Sequence, residues 1–315
     1  MLQNQNKNYE FILKSLLAGG VAGMCSKSAV APLDRIKILF QAHNSHYSHL
    51  GVFSGIKEVV QRESLLALYK GNGAQMVRVF PYAATQFTAF ELYTQVFNSF
   101  LGSKSHLSKL LAGSSAGATA VLLTYPLDTI RARLAFQITG GETYTGIIHA
   151  ATSIFQHEGG IKGLYRGFVP TLCGMIPYAG LSFYCFEMLK LCCMKYIPDL
   201  TCVPSSNNTG GLVLLIPAKL VCGGLAGSIA QSIAYPMDVT RRRMQLAMMD
   251  PATYKYGEMG MVQTLLLIYK ENGIFRGLYR GMSINYLRAM PMVAVSFSVY
   301  ELMKQALRLD TGLKL

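Results

Sequence analysis

Apolar residues gather along the chain into six long stretches, at about 11–40, 73–97, 107–137, 170–193, 215–246 and 283–306. Each is long enough to cross ~30 Å of hydrocarbon at 1.5 Å per residue. None is a clean span, because glycine, proline and single charges interrupt all six. Such interruptions survive at membrane depth only where neighbouring helices or a water-filled lumen satisfy the exposed polar groups. The pattern predicts an all-α membrane protein, six transmembrane helices bundled around a polar passage. Six amphipathic helices of a soluble protein are the competing reading. Shorter segments at about 53–63, 146–158 and 261–271 read as surface helices on one membrane face.

The six stretches form three pairs. Pro-x-Asp-x-x-Lys/Arg occurs as Pro32-Leu-Asp34-Arg-Ile-Lys37, Pro126-Leu-Asp128-Thr-Ile-Arg131 and Pro236-Met-Asp238-Val-Thr-Arg241. Upstream of each lies a glycine pair four apart: Gly19 and Gly23, Gly113 and Gly117, Gly223 and Gly227. Such pairs predict close helix approach. Downstream follow Glu63, Glu158 and Glu271, then the turns Tyr69-Lys-Gly71, Tyr165-Arg-Gly167 and Tyr279-Arg-Gly281. Second prolines at 81, 177 and 291 each precede an aromatic-acid pair by nine residues: Phe90-Glu91, Phe186-Glu187 and Tyr300-Glu301. The chain is therefore three copies of one unit, residues 1–103, 104–205 and 206–315. Pro198–Gly211 is the longest linker.

Composition sharpens this picture. Only 14% of residues are charged, against about 25% in soluble domains, and 51% are hydrophobic. A net charge of +13 would suit nucleic acid, but a chain this apolar lacks the solvated basic face such binding needs. Disorder and collagen-like structure are excluded on the same grounds. Of the 29 Lys and Arg, 16 lie between Arg35 and Lys70, Arg131 and Arg166, or Arg241 and Arg280, which puts the intra-unit loops on one basic side. Seven cysteines without CxxC spacing predict buried thiols in a reducing compartment rather than disulfides or zinc. His43, His46 and His49 cluster in a predicted loop, where solvation is favoured over a metal site. Met1 to Asn8 has neither the apolar core of a secretory signal nor the arginines of a cleavable presequence. There is no phosphate-loop, His-Glu-x-x-His or Gly-x-Ser-x-Gly motif, so no enzyme and no cofactor is expected. A membrane protein that does not transport is the remaining competitor.

The repeated charges predict two gates. An Asp and a cation three positions apart share one helix face, and three copies at one depth predict the ring Asp34–Arg131, Asp128–Arg241 and Asp238–Lys37. Gln41 and Gln245 would brace it from a turn below, where the middle unit has Ala135. A static packing network is the alternative. A weaker set stands at the other face: Glu91 with Thr94, Glu187 with Lys190, and Glu301 with Lys304. Two rings that cannot both be closed while solute passes are what alternating access requires. Between them, Lys27, Arg78 and Arg288 stand without an acid at their level. Unpaired cations there point to an anionic solute, and arginines to phosphate or carboxylate; snorkelling is the alternative for Lys27. Gly174 replaces the arginine in the middle unit and, with Met175 and Tyr178, predicts a flat slot for a planar base.

On these residues the chain resembles the mitochondrial carrier family across about 9–308. The resemblance implies a threefold pseudosymmetric six-helix bundle with short matrix helices, multi-pass in the mitochondrial inner membrane. It implies a monomer amid membrane lipid, with cardiolipin a candidate, and one central site with matrix and cytoplasmic gates opening in alternation. Arg78, Gly174-Met175 and Arg288 then fall at the three substrate contact points. Lys27, Tyr178 and Asn285 match cavity positions of adenine-nucleotide carriers. The run Arg241-Arg-Arg-Met-Gln245 matches the arginine-methionine run of the ADP/ATP carrier only in part, which argues against a strict ADP/ATP exchanger. The implied cargo is coenzyme A or a related adenine nucleotide; ADP, ATP, NAD and thiamine pyrophosphate are the alternatives.

Overall fold

The computed structural model describes residues 2–42, 47, 51–101, 106–138, 143–204, 212–249 and 251–307. His43, His46, His49 and the linker from 205 to 211 lie outside them. Six long helices carry the predicted stretches: α1 (Leu2–Gln41), α3 (Asn72–Leu101), α4 (His106–Phe136), α7 (Phe168–Tyr196), α9 (Ile216–Gln245) and α11 (Met282–Ala306). Between them lie the surface helices α2 (Val52–Arg62), α5 (Ile147–His157) and α10 (Met261–Asn272), and the short α6 (Ile161–Leu164) and α8 (Pro198–Thr201). The fold is all-α, apart from a two-stranded antiparallel ribbon of β1 (Cys202–Pro204) and β2 (Leu212–Leu214). That ribbon lies where only a linker was expected.

Each long helix runs through its own proline: Pro32, Pro81, Pro126, Pro177, Pro236 and Pro291. Among the described residues, Lys14–Gln41, Ser108–Phe136 and Ile161–Tyr196 are long and apolar enough to cross a membrane by composition alone. The other three long helices fall short because their charges and polar groups dilute the window. Large apolar side chains nevertheless point outward along them, among them Phe87 on α3 and Met290 and Phe297 on α11. Contiguous exposed apolar surface on a long helix needs a nonaqueous neighbour.

By its internal contacts the chain divides into two compact units. One comprises residues 1–168, 242–259 and 283–315, the other 169–241 and 260–282. The core of the first is built where Ile36, Leu39 and Phe40 of α1 meet Val59 of α2 and Ala132 and Phe136 of α4. A second cluster joins Ile130 and Leu134 of α4 to Ala150 and Ile154 of α5.

The repeat is visible in backbone detail. The turn that follows each surface segment has its glycine in the left-handed region, with φ of 82° at Gly71 and 81° at Gly167 and Gly281. At Gly71 a side chain is excluded twice, since a Cβ would also stand 2.7 Å from the Arg131 carbonyl oxygen. In the second and third copies the tyrosine before the motif proline secures the turn. The Tyr125 hydroxyl donates to the Arg166 carbonyl at 2.9 Å, and Tyr235 to Arg280 at 2.8 Å. Each also stacks on the turn's own tyrosine, Tyr165 or Tyr279. The first copy has Ala31 there and lacks this tie.

Two expectations about small residues are corrected. Nothing among the described residues lies within 4 Å of a Cβ built on Gly19, Gly223 or Gly227, whereas one on Gly23 or Gly113 would meet Val79 or Phe90 of α3 at 3.8 or 3.9 Å. The buried stripe stands one position earlier: Ala18, Ala22 and Ser26 on α1; Ala112, Ala116 and Ala120 on α4; Cys222, Ala226 and Ala230 on α9. A methyl group gains burial that glycine cannot, so alanine holds the packed face. Nor are the thiols generally buried in protein. Cys222 is, whereas Cys25, Cys173 and Cys192 are exposed.

Candidate functional site

In the first unit the α1 end of the predicted ring is drawn together. Arg131 Nη2 on α4 donates to Asp34 Oδ2 on α1 at 2.6 Å. The other oxygen, Oδ1, accepts from Arg288 Nη1 on α11, also at 2.6 Å. Asp128 on α4 is likewise shared: Oδ1 accepts from Arg78 Nη1 of α3 at 3.0 Å, and Oδ2 from Gln245 Nε2 of α9 at 3.0 Å. Arg242 lies 3.8 Å from the same carboxylate, with its Nη1 donating to Gln245 Oε1 at 2.8 Å. Gln245 thus braces Asp128 directly. The pairs Asp128–Arg241 and Asp238–Lys37 each draw one member from either unit. Gln41 is buried at the end of α1.

This corrects the reading of Arg78 and Arg288 as cations without an acid. Counting charges along one helix says nothing of what a neighbouring helix presents. The motif aspartates, one helix away, reach both guanidinium groups. Arg78 is further held by Thr124 Oγ1, which accepts from Nε at 3.3 Å, and its guanidinium carbon lies 5.3 Å from the Tyr82 ring centre. Asn285 links the two levels, its Oδ1 accepting from both Lys37 Nζ at 2.9 Å and Arg288 Nε at 3.0 Å. Lys27 is half-buried, with Nζ 3.6 Å from the Met292 sulfur on α11. Inward packing of this kind is not the posture of a snorkelling lysine.

In the second unit Asp238 accepts from Gln231 Nε2 at 2.7 Å, two turns back on the same helix. Gly174 is buried, and a Cβ there would stand 3.2 Å from Met237 Cβ. The side chain it lacks is therefore replaced by packing against α9, which corrects the expectation of a slot at the glycine itself. Met175 is half-buried and Tyr178 exposed.

At the other helix ends, the acids Glu91, Glu187 and Glu301 are exposed. Lys190 reaches Glu187 at 3.1 Å and Lys304 reaches Glu301 at 3.2 Å, each within its own helix. Thr94 is half-buried on α3. Lys304 also lies 4.9 Å from the Tyr300 ring centre.

A further ring, of arginines on backbone carbonyls, was not expected at all. Arg35 Nε donates to the Ala135 carbonyl at 3.1 Å, Arg133 Nε to Gln245 at 3.1 Å, and Arg243 Nε to Gln41 at 3.3 Å. These three carbonyls occupy equivalent places at the ends of α4, α9 and α1, where helix carbonyls lack intrahelical partners. Each first helix is thus capped by an arginine from another, in cyclic order. The arginine cap uses only the backbone carbonyl of this position, so Ala135 accepts it as well as a glutamine does, whereas the side-chain brace on Asp128 needs Gln245. Arg35 also forms a fork with Glu63 at 2.8 and 2.9 Å, and Arg133 a fork with Glu158. All three arginines are buried. Recurrence of Glu63 and Glu158 was the available signal for the forks. The arginines themselves were hidden because Arg35 directly follows Asp34, whereas Arg133 and Arg243 stand five past Asp128 and Asp238.

Comparison with known proteins accords with this geometry. The family model described as "Mitochondrial carrier protein" matches three times, at residues 8–100, 102–196 and 214–311. The chain is 55% identical over 298 residues to bovine "Solute carrier family 25 member 16", covering 95% of this chain and 90% of that protein. That relative is the Graves disease carrier protein. This chain is also 40% identical over 306 residues to the Xenopus laevis "Mitochondrial coenzyme A transporter SLC25A42", covering 96% of this chain and 88% of that protein. It is 41% identical over 318 residues to "Mitochondrial carrier protein CoAc1" of Arabidopsis thaliana, covering 95% and 91%.

Proposed function

We propose that this chain, which belongs to the mitochondrial carrier family, moves coenzyme A or a related adenine nucleotide across the mitochondrial inner membrane by alternating access. The observation that carries this reading is the sharing of the two motif aspartates with Arg78 and Arg288. Coenzyme A offers a diphosphate and a 3′-phosphate, which compete for the same forked donors that the carboxylates now occupy. A phosphate that takes Arg288 frees α11 from α1, and one that takes Arg78 frees α3 from α4. Hydrogen bonds to charged groups contribute about 1.5–3 kcal/mol each, so a substrate meeting both arginines can outweigh both ties. Binding and opening are then one event, as a carrier needs, because substrate shifts the equilibrium only through its differential affinity for the two states. The name of the Xenopus relative supports coenzyme A over the other phosphorylated anions.

In this scheme Lys27 and Asn285 are substrate contacts with the arginines, and Gly174, Met175 and Tyr178 are the contacts of the middle repeat. Asp34, Lys37, Asp128, Arg131, Asp238 and Arg241, braced by Gln41 and Gln245, form the matrix gate. Glu91, Glu187, Lys190, Glu301 and Lys304 form the cytoplasmic gate. The test is uptake by proteoliposomes offered coenzyme A, dephospho-coenzyme A, ADP, ATP, NAD and thiamine pyrophosphate in turn. Coenzyme A should be taken up fastest, and Arg288→Ala should lower that uptake at least about 100-fold, the loss of two charged hydrogen bonds. Preference for another member of the panel would replace the cargo. Unchanged uptake by Arg288→Ala would remove the site.

A further inference from the structure

We infer that Cys193 and Cys222 form a redox modification site, in which a reversible disulfide ties the C-terminal end of α7 to the first turns of α9. Their sulfur atoms lie 3.6 Å apart although the residues are 29 apart in sequence. Cys193 stands three residues before the end of α7, and Cys222 six residues into α9. Both belong to the second unit. This inference goes beyond the transport reading and holds whatever the cargo is.

Internal comparison singles the pair out. Repeats one and two fill the place of Cys222 with Ala18 and Ala112, both buried in the small-residue stripe. The place of Cys193 is Phe97 in repeat one and Leu307 in repeat three. Elsewhere, then, the α7-equivalent position carries a bulky apolar residue and the α9-equivalent position an alanine. At this junction alone both are thiols, and they touch.

Exposure sets the order of events. Cys222 is buried and Cys193 half-buried, so an oxidant meets Cys193 first. With a peroxide, the Cys193 thiolate attacks one oxygen and the O–O bond breaks, leaving a sulfenic acid and one water after proton transfer. The Cys222 sulfur then attacks the Cys193 sulfur: the S–O bond breaks, the S–S bond forms, and the second water leaves with the Cys222 proton. Two thiols lose two electrons, and one peroxide becomes two waters. A dithiol reductant reverses the reaction by exchange.

The experiment uses the full chain in liposomes, treated with hydrogen peroxide and digested without reduction. The expected product is a peptide pair joined between Cys193 and Cys222. Its formation should raise the melting temperature by about 5 °C, because a loop of this length is closed in the unfolded chain. Dithiothreitol should reverse both changes, and Cys222→Ala should abolish both. Should Cys222→Ala fail to fold, Cys193→Ser, at the half-buried position, gives the same reading. Joining of Cys193 to Cys192 or Cys202 would overturn the inference. So would thiols that remain open to alkylation after peroxide, or a bond that leaves the melting temperature unmoved.

Discussion

A guanidinium carries its donors on three nitrogens in a flat fork, and Arg35 turns them on five acceptors inside the protein, Nη2 alone being shared among three. They are the two oxygens of Glu63 and the carbonyls of Ala67, Ala135 and Gln137. Arg133 does the same with Glu158, the Tyr144 hydroxyl and the carbonyls of Gln245 and Ala247. Removing one partner of a buried ion pair leaves the other charged and unsatisfied, which costs about 3–5 kcal/mol. Arg133→Ala should therefore lower the thermal unfolding temperature in detergent sharply. Arg133→Lys should recover little, because an ammonium cannot reproduce the fork. Tyr47 offers a pH test beside the same cluster. Its phenol donates to Glu63 Oε1 at 3.1 Å, and burial together with the Glu63 carboxylate pushes its pKa up to about 12. The folded protein then keeps this proton where the unfolded chain, titrating near 10, has lost it. The contribution is intact below pH 10 and disappears as pH rises toward 12. Stability of Tyr47→Phe should lack that share of the decline between pH 10 and 12, as read from unfolding curves at stepped pH.

At the level of helices, the six long segments and three surface helices could be read from hydrophobic periodicity, because lipid and core both impose it along the chain. Contacts between helices could not be read the same way. Gly19 and Gly223 drew the eye as small residues, yet the packed face belongs to Ala18 and Cys222 one position earlier. Sequence alone carries no marker for which of two adjacent small residues faces a neighbour. The two kinds of position should respond oppositely. Ala116→Leu and Ala226→Leu overpack a buried stripe and should cost about 1–3 kcal/mol each. Gly227→Ala has open space around it and should be neutral or stabilise by up to about 1 kcal/mol. Thermal unfolding of the three variants separates the two outcomes. The ring of arginines on helix-end carbonyls was illegible for a related reason: backbone acceptors leave no trace in residue identity.

For the molecule as a whole, the motif charges announced that the first helices would meet through ion pairs, and Asp34 with Arg131 does so. Sharing of the same aspartates with Arg78 and Arg288 was not legible, since it depends on how the second helices pack against the first. Sharing has a thermodynamic signature. Arg131→Ala or Arg288→Ala alone leaves Asp34 with one guanidinium, whereas the double variant strands a buried carboxylate. The double should lose more stability than the two singles summed, by about 0.5–3 kcal/mol. Adding Asp34→Asn should recover part of that excess. Additive losses in the same unfolding measurement would mean that the two arginines act independently.

One consequence of the doubly held Asp34 concerns the idle protein. Arg131 and Arg288 already have a counter-ion supplied by the chain itself. Chloride, with a single charge and no flat pair of oxygens, has little to offer in its place. On the transport reading proposed above, a carrier of this design stays electrically quiet toward the abundant small ions around it and answers to solutes that bring several phosphate oxygens at once.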